Sequence, residues 1–170
     1  MYARIVYIGH VTPEDTLDFN VRYAWAGIAR IYGQLAASRG TTMAMGQALL
    51  NIEKNGTPST QLGPRMGMEK TSLSRLLNNL ESHGMIERRN DSEDRRIVRV
   101  HLTEDGKKER DRARQAVRKF NRWMADQLGT DRMARLLEDL QQLNAHLVQY
   151  PTEELIPEVG PRSNPDSNAA

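Results

Sequence analysis

The chain contains no cysteine, which excludes disulfides, thiolate zinc sites and cysteine-based oxidant sensing. It has no apolar run approaching the ~18 residues of a membrane span. Residues 1–10 lack the long apolar stretch and small-residue cleavage site of a signal peptide. A cytoplasmic protein without membrane attachment is therefore expected. Net charge is small too, only +2, although the isoelectric point is about 9.0. Basic character is thus local, which favours one basic face over a wholly cationic protein. No Gly-rich phosphate loop, nucleophile elbow or paired-carboxylate arrangement occurs, so no catalytic residue is assigned and no enzyme is expected. Gly63-Pro64-Arg65-Met66-Gly67 has glycines but no strand before it, and is read as a turn. His10, His83, His101 and His146 are far apart in sequence, so neither a metal nor a cofactor is expected. No internal repeat stands out. What is left, 170 residues of which 38% are hydrophobic, is enough for one domain with a real core.

The informative part is Lys70 to Gly106. From Lys70 to His83 two stripes run at helical spacing, Leu73, Leu76, Leu77 and Leu80 on one, Thr71, Ser74, Arg75, Asn78 and Ser82 on the other. At roughly 100° per residue they fall on opposite faces. One face can enter a core while the other offers hydroxyls, an amide and a guanidinium, the groups that bond base edges and phosphates in a major groove. Gly84 follows where a helix end wants a residue tolerant of positive φ. A hairpin comes next: Ile86 to Arg89 and Ile97 to Leu102 flank the turn-forming run Asn90-Asp91-Ser92-Glu93-Asp94. Val98, Val100 and Leu102 alternate with Arg99 and His101, as in a half-buried strand. Arg88, Arg89, Arg95 and Arg96 gather on this ribbon, suited to phosphate contact or a narrow minor groove. Helix and basic hairpin together read as a winged helix-turn-helix.

Around this module the spacing predicts helices over Pro13–Ser38, stopped by Gly40, and over Met43–Lys54, ended by Asn55-Gly56. A third begins with Thr57 as N-cap and Pro58 at the first helical position, and is short or bent because Pro64 lies inside it. Gly67 makes the turn into the recognition helix. Thr103 caps a long helix to about Leu128 with the stripe Ala113, Ala116, Val117, Phe120 and Met124. Gly129 breaks it, and Asp131–Gln149 carries Met133, Leu136, Leu137, Leu140, Leu143 and Leu147.

Thr71-Ser72-Leu73-Ser74-Arg75-Leu76-Leu77, Leu80 through Arg88, and Asp94-Arg95-Arg96 leading to Leu102-Thr103-Glu104-Asp105-Gly106 resemble the MarR family of bacterial transcriptional regulators. The wing is the most specific part, with an Asp-x-Arg signature at Asp94 and Arg96 and a Leu-Thr-x-x-Gly signature at Leu102, Thr103 and Gly106. By pattern the resemblance runs from about Asp18 to Leu147. It implies a homodimeric, mostly helical protein that binds double-stranded DNA, often as a repressor, often released by a small molecule. The lack of cysteine departs from the family's redox-sensing branch.

The fold class expected is therefore mainly α with a small β-wing, a winged helix-turn-helix with a helical dimerisation region formed by the N- and C-terminal helices. Residues 1–40 form the N-terminal dimerisation segment, 41–106 the DNA-binding region, 107–150 the C-terminal dimerisation helices and 151–170 a flexible tail, with Leu155, Ile156 and Val159 able to pin part of it. The apolar stripes of the terminal helices are expected to bury against a second copy, placing two recognition helices roughly 34 Å apart on a pseudo-palindromic operator. Lys70, Thr71, Ser72, Ser74, Arg75, Asn78, Arg88, Arg95 and Arg96 are the candidate DNA contacts, Arg89 a further phosphate contact, and Asp94 a brace for the wing. Similar proteins hold aromatic or amphipathic anions in a cleft beside the dimerisation helices. Here Arg22, Tyr23, Trp25, Arg30 and Tyr32 supply cations and rings. The alternative is a DNA-binding regulator without a small-molecule ligand, controlled by abundance or a protein partner. Either would be nucleoid-associated.

Overall fold

The computed structural model describes residues 12–151, and the expectations for His10 and for the tail, including Leu155, Ile156 and Val159, lie outside them. The described chain orders as α1 (Leu17–Ala37), α2 (Met43–Asn51), β1 (Thr57–Pro58), α3 (Ser59–Met66), α4 (Lys70–Ser82), β2 (Ile86–Asn90), β3 (Val98–Leu102), α5 (Glu104–Leu128) and α6 (Thr130–Gln149). It forms two compact units, one ending at Arg118 and the other starting at Lys119, with α5 running through both.

In the first unit a single apolar cluster holds the winged helix together. Met45, Ala48 and Leu49 of α2, Leu62 of α3, the four leucines of α4, Ile86 of β2, and Val100 and Leu102 of β3 all meet in it. Leu73, Leu76, Leu77 and Leu80 are all buried, as their spacing predicts. At about 1.5–3 kcal/mol per buried leucine, this stripe supplies most of what fixes α4 and thereby aims its opposite face.

Three antiparallel strands make the sheet, in the order β1-β3-β2. Ile86 faces Leu102 and Arg88 faces Val100 across the hairpin, while Thr57 pairs with Val100 on the other edge. That third strand corrects the sequence reading of Thr57 and Pro58 as a helix start. Thr57 is fully buried, and its Oγ accepts the Glu53 N–H at 2.9 Å. With its backbone committed to β3 it cannot cap a helix, so α3 starts at Ser59. Likewise α2 ends at Asn51 rather than near Lys54, because Ile52 turns extended and buries in the core. As expected, α3 is short, carries Pro64 inside and stops at Gly67 with φ +61°.

Residues Pro13–Asp15 form a separate 3-10 turn, so α1 begins four residues later than expected, capped by the Thr16 hydroxyl accepting the Phe19 N–H. None of its residues is buried; Leu17, Val21 and Trp25 are exposed. In the second unit Gly129, at φ +84°, separates α5 from α6. Leu136, Leu137, Leu140 and Leu147 of α6 are exposed as well.

Candidate nucleic-acid interface

With its leucines turned inward, α4 leaves Lys70, Thr71, Ser72, Ser74, Arg75 and Asn78 exposed on the other side. Their remaining bonding capacity differs. Ser74 donates its hydroxyl to the Lys70 carbonyl at 2.9 Å, so only its oxygen lone pairs stay available. Lys70 and Arg75 make no ion pair among the described residues. Asn78 accepts from Arg88 Nη2 at 2.8 Å, and the same guanidinium lies 3.5 Å from Glu81. Arg88 of β2 is thus held against α4, and Arg89 pairs with Glu87. Both are expected at phosphates, and the hairpin register places Arg88 beside the exposed face of α4.

The wing loop, residues 91–97, is ordered from within. Asp91 is buried, accepting the side chain of Arg99 and the backbone N–H groups of Glu93 (2.8 Å) and Asp94 (3.1 Å). The Arg99 guanidinium, followed by the Asp94 and Glu93 N–H groups, holds the Asp91 carboxyl down at about 2, against an ordinary 3.8. Arg99 also donates to the Gly56 carbonyl at 3.2 Å, tying the hairpin to the turn before β1. This pair, which the sequence reading missed, is the ionic brace of the wing. The expected brace, Asp94, acts on the backbone: its carboxylate accepts the Arg96 N–H at 2.9 Å. The guanidinium groups of Arg95 and Arg96 are left exposed at the tip, without an ion pair among the described residues. Nothing in the sequence singles out Asp91 and Arg99 without the register, since eight residues and a loop separate them.

The wing also closes onto α5. Thr103 donates its N–H to the Met85 carbonyl (3.1 Å) and its hydroxyl to the Gly84 carbonyl (2.6 Å), and that hydroxyl accepts the Gly106 N–H at 3.0 Å. Gly106 lies so near Met85 that a Cβ there would sit 1.8 Å from its carbonyl oxygen. The Leu-Thr-x-x-Gly signature is therefore a joint: the hydroxyl caps α5 while the missing side chain makes room for Met85, the residue leading into β2. His101 leans on Gly56, whose own missing Cβ makes the room.

A pocket of ≈ 120 Å³ opens in the same unit between α1, α2 and α5. Tyr32, Leu35, Leu50, Ala113 and Val117 give it apolar walls, with Gln47 and Thr42 adding amide and hydroxyl groups. Burial pushes the Tyr32 phenol up. The two charges that line it oppose each other, Arg39 lying 3.9 Å from Glu109, and Arg112 also donates to Glu109 at 3.0 Å. Of the residues expected to bind a ligand, only Tyr32 lines this pocket. Arg22 and Tyr23 instead stack on Phe19, with the Arg22 guanidinium carbon 5.6 Å from that ring and the two ring centroids 5.8 Å apart. Trp25 and Arg30 are exposed on the same helix.

A helix pair, a polar outward face on its second member, a three-stranded sheet and a basic hairpin define a winged helix-turn-helix. The MarR family model matches residues 42–98, from the cap of α2 to the first residue of β3. This segment is a MarR-family winged helix, and the family's proteins are transcriptional regulators rather than enzymes. No curated protein matches the chain. Among solved structures, a probable transcriptional regulator from Pseudomonas aeruginosa is 26% identical, covering 78% of this chain and 99% of its own, with a TM-score of 0.69. MepR of S. aureus, solved as a complex with DNA, is 19% identical over 80% of this chain and 99% of its own, at TM-score 0.72. CouR of Rhodococcus jostii, solved bound to p-coumaroyl-CoA, is 18% identical over 79% of this chain and 95% of its own, at TM-score 0.71. The likeness to the last two is one of fold. No helix among the described residues is long and apolar enough to cross a membrane.

Proposed function

We propose that the protein is a homodimeric, sequence-specific regulator of transcription that binds double-stranded DNA with α4 in the major groove and the hairpin tip on the neighbouring minor groove or backbone. The observation that carries this is the placement of four exposed cations, Lys70, Arg75, Arg95 and Arg96, none with an ion pair among the described residues, on α4 and the wing. Some surface cations of the protein are paired with acidic neighbours, as Lys107, Lys108 and Arg114 are on α5. Unpaired ones on a rigid helix and ribbon suit phosphates and base edges. The DNA complex of MepR, which shares the fold, supports the same reading.

Dimerisation is supported by the apolar faces of α1 and α6, which carry Leu17, Val21 and Trp25 on one and Leu136, Leu140 and Leu147 on the other. Contiguous apolar patches of that kind are rare on monomers, and a second copy would cover them. The pocket between α1, α2 and α5 supports release of DNA by a small ligand. Its charges are already neutralised by one another, which suits a net-neutral amphipathic or aromatic molecule with a hydroxyl or two better than a free anion. Such a ligand would act by favouring one spacing of the two α4 helices over another. Repression in the cytoplasm, at an operator near its own gene, completes the proposal. A footprint on the DNA upstream of that gene should show two protected half-sites whose centres lie about 10 base pairs, or a multiple, apart. Thermal-shift screening with phenols and phenolic esters should raise the melting point and release the footprint. Lack of any protected pseudo-palindrome would sink the proposal.

A further inference from the structure

From the contact between β2 and α4 we infer that Arg88 is a positioning residue for base reading: it locks the Asn78 amide so that Asn78 presents a hydrogen-bond donor to DNA. This rests on the proposed placement of α4 in the major groove. A guanidinium has donors only, so whatever touches Arg88 Nη2 at 2.8 Å must be the amide oxygen of Asn78. The amide nitrogen then points away from Arg88. Arg88 is itself restrained on its other arm by Glu81, one turn further along α4. Two side chains, Arg88 of β2 and Glu81 of α4, therefore fix one amide, beside the exposed face on which α4 carries Arg75 and Ser74.

A free asparagine can flip its amide and satisfy a donor or an acceptor. One whose oxygen is turned toward Arg88 presents its –NH₂ outward and disfavours the edge that has only a donor. In the major groove that edge is cytosine, with its N4 amino group, whereas guanine N7 and O6, adenine N7 and thymine O4 all accept. Asn78 in this setting discriminates against cytosine at one position of each half-site, and Arg88 is the cause. The role differs from that of a phosphate clamp, which weakens every sequence alike and contributes to the salt dependence.

The test is selection of binding sequences from a randomised duplex library by the full chain, followed by measured affinities at the Asn78 position for all four base pairs. Wild type should disfavour cytosine there. Arg88→Ala should lower that discrimination about fivefold, the value of one fixed hydrogen bond, while the other positions keep their preferences. Arg88→Lys, which retains a donor, should recover most of it, and thermal melting of both variants checks that β2 is intact. Asn78→Asp, an acceptor held by the same arginine, should move the preference at that position toward cytosine. An even loss across all sequences with a shallower salt slope in Arg88→Ala would make Arg88 a phosphate contact and overturn the inference while leaving the regulator reading standing. So would an unaltered preference in Asn78→Asp. Selection of no sequence by the wild type would instead overturn the regulator reading on which the inference rests.

Discussion

Replacing Gly106 by alanine should loosen the joint between the wing and α5. The new methyl carbon would lie 1.8 Å from the Met85 carbonyl oxygen and 2.9 Å from its carbon, both backbone atoms with no side-chain freedom to yield. The oxygen must retreat by more than an ångström, and it is the acceptor of the Thr103 N–H. Overpacking of this kind costs about 1–3 kcal/mol, and the strained or broken hydrogen bond about 1 kcal/mol. Alanine's better helix propensity returns about 1 kcal/mol. The net is a loss near 2 kcal/mol, or roughly 4–8 °C in melting midpoint for a chain of this size. Gly46→Ala is the control, because a Cβ there meets only Ala113 at an ordinary 3.8 Å. Calorimetric melting of the three proteins decides the matter, with amide exchange locating the damage at residues 84–90 and 98–106. A Gly106→Ala protein that melts within about 1 °C of wild type would show that Met85 and α5 do not approach as described.

Arg96→Ala should weaken DNA binding and lower the magnitude of the salt slope by about 1; Asp94→Ala should instead raise amide exchange in the loop, since its carboxylate holds the Arg96 N–H. Identical behaviour of the two in salt titrations would leave Arg96 without a direct role. For Asp91, a carboxyl depressed from 3.8 to about 2 in the folded state contributes stability that is present above pH 3.8 and drains away as pH falls through about 2. Asp91→Asn should flatten that acid limb of melting point against pH, and an unchanged limb would contradict the assigned brace. A charge in the α6 stripe, Leu140→Glu, should yield monomers on sedimentation and cost operator binding with them, although Leu140 lies far from α4 in sequence. Dimers of undiminished stability would place the interface elsewhere.

Legibility followed how local each signal was. Leucines at three- and four-residue spacing announce α4, because burial of one face leaves the other no choice, and Gly84 and Gly129 mark chain reversals that need positive φ. Asp94-x-Arg96 and Leu102-Thr103-x-x-Gly106 give away the wing and its joint. β1 was not readable: two residues, one of them proline, look like a helix start until β3 is seen to pair with Thr57. The same holds for Asp91–Arg99 and for Arg88–Asn78, whose partners are joined only by strand register and by the packing of β2 on α4. In the ligand region, ring and cation content drew attention to Arg22, Tyr23 and Trp25. The pocket instead lies further along α1, at Tyr32, because its walls come from α2 and α5.

The claim at the centre is that the exposed face of α4 reads DNA sequence, and Arg75 tests it most directly. It is exposed, makes no ion pair among the described residues, and stands one turn before Asn78. Binding isotherms of wild type and Arg75→Ala, on the selected operator and on random duplex at equal salt, separate base reading from charge. If Arg75 reads a base, Arg75→Ala loses about 1–3 kcal/mol on the operator, relaxes preference at one position per half-site, loses much less on random DNA and keeps its melting point. Equal losses on both duplexes, or none on either, would contradict it.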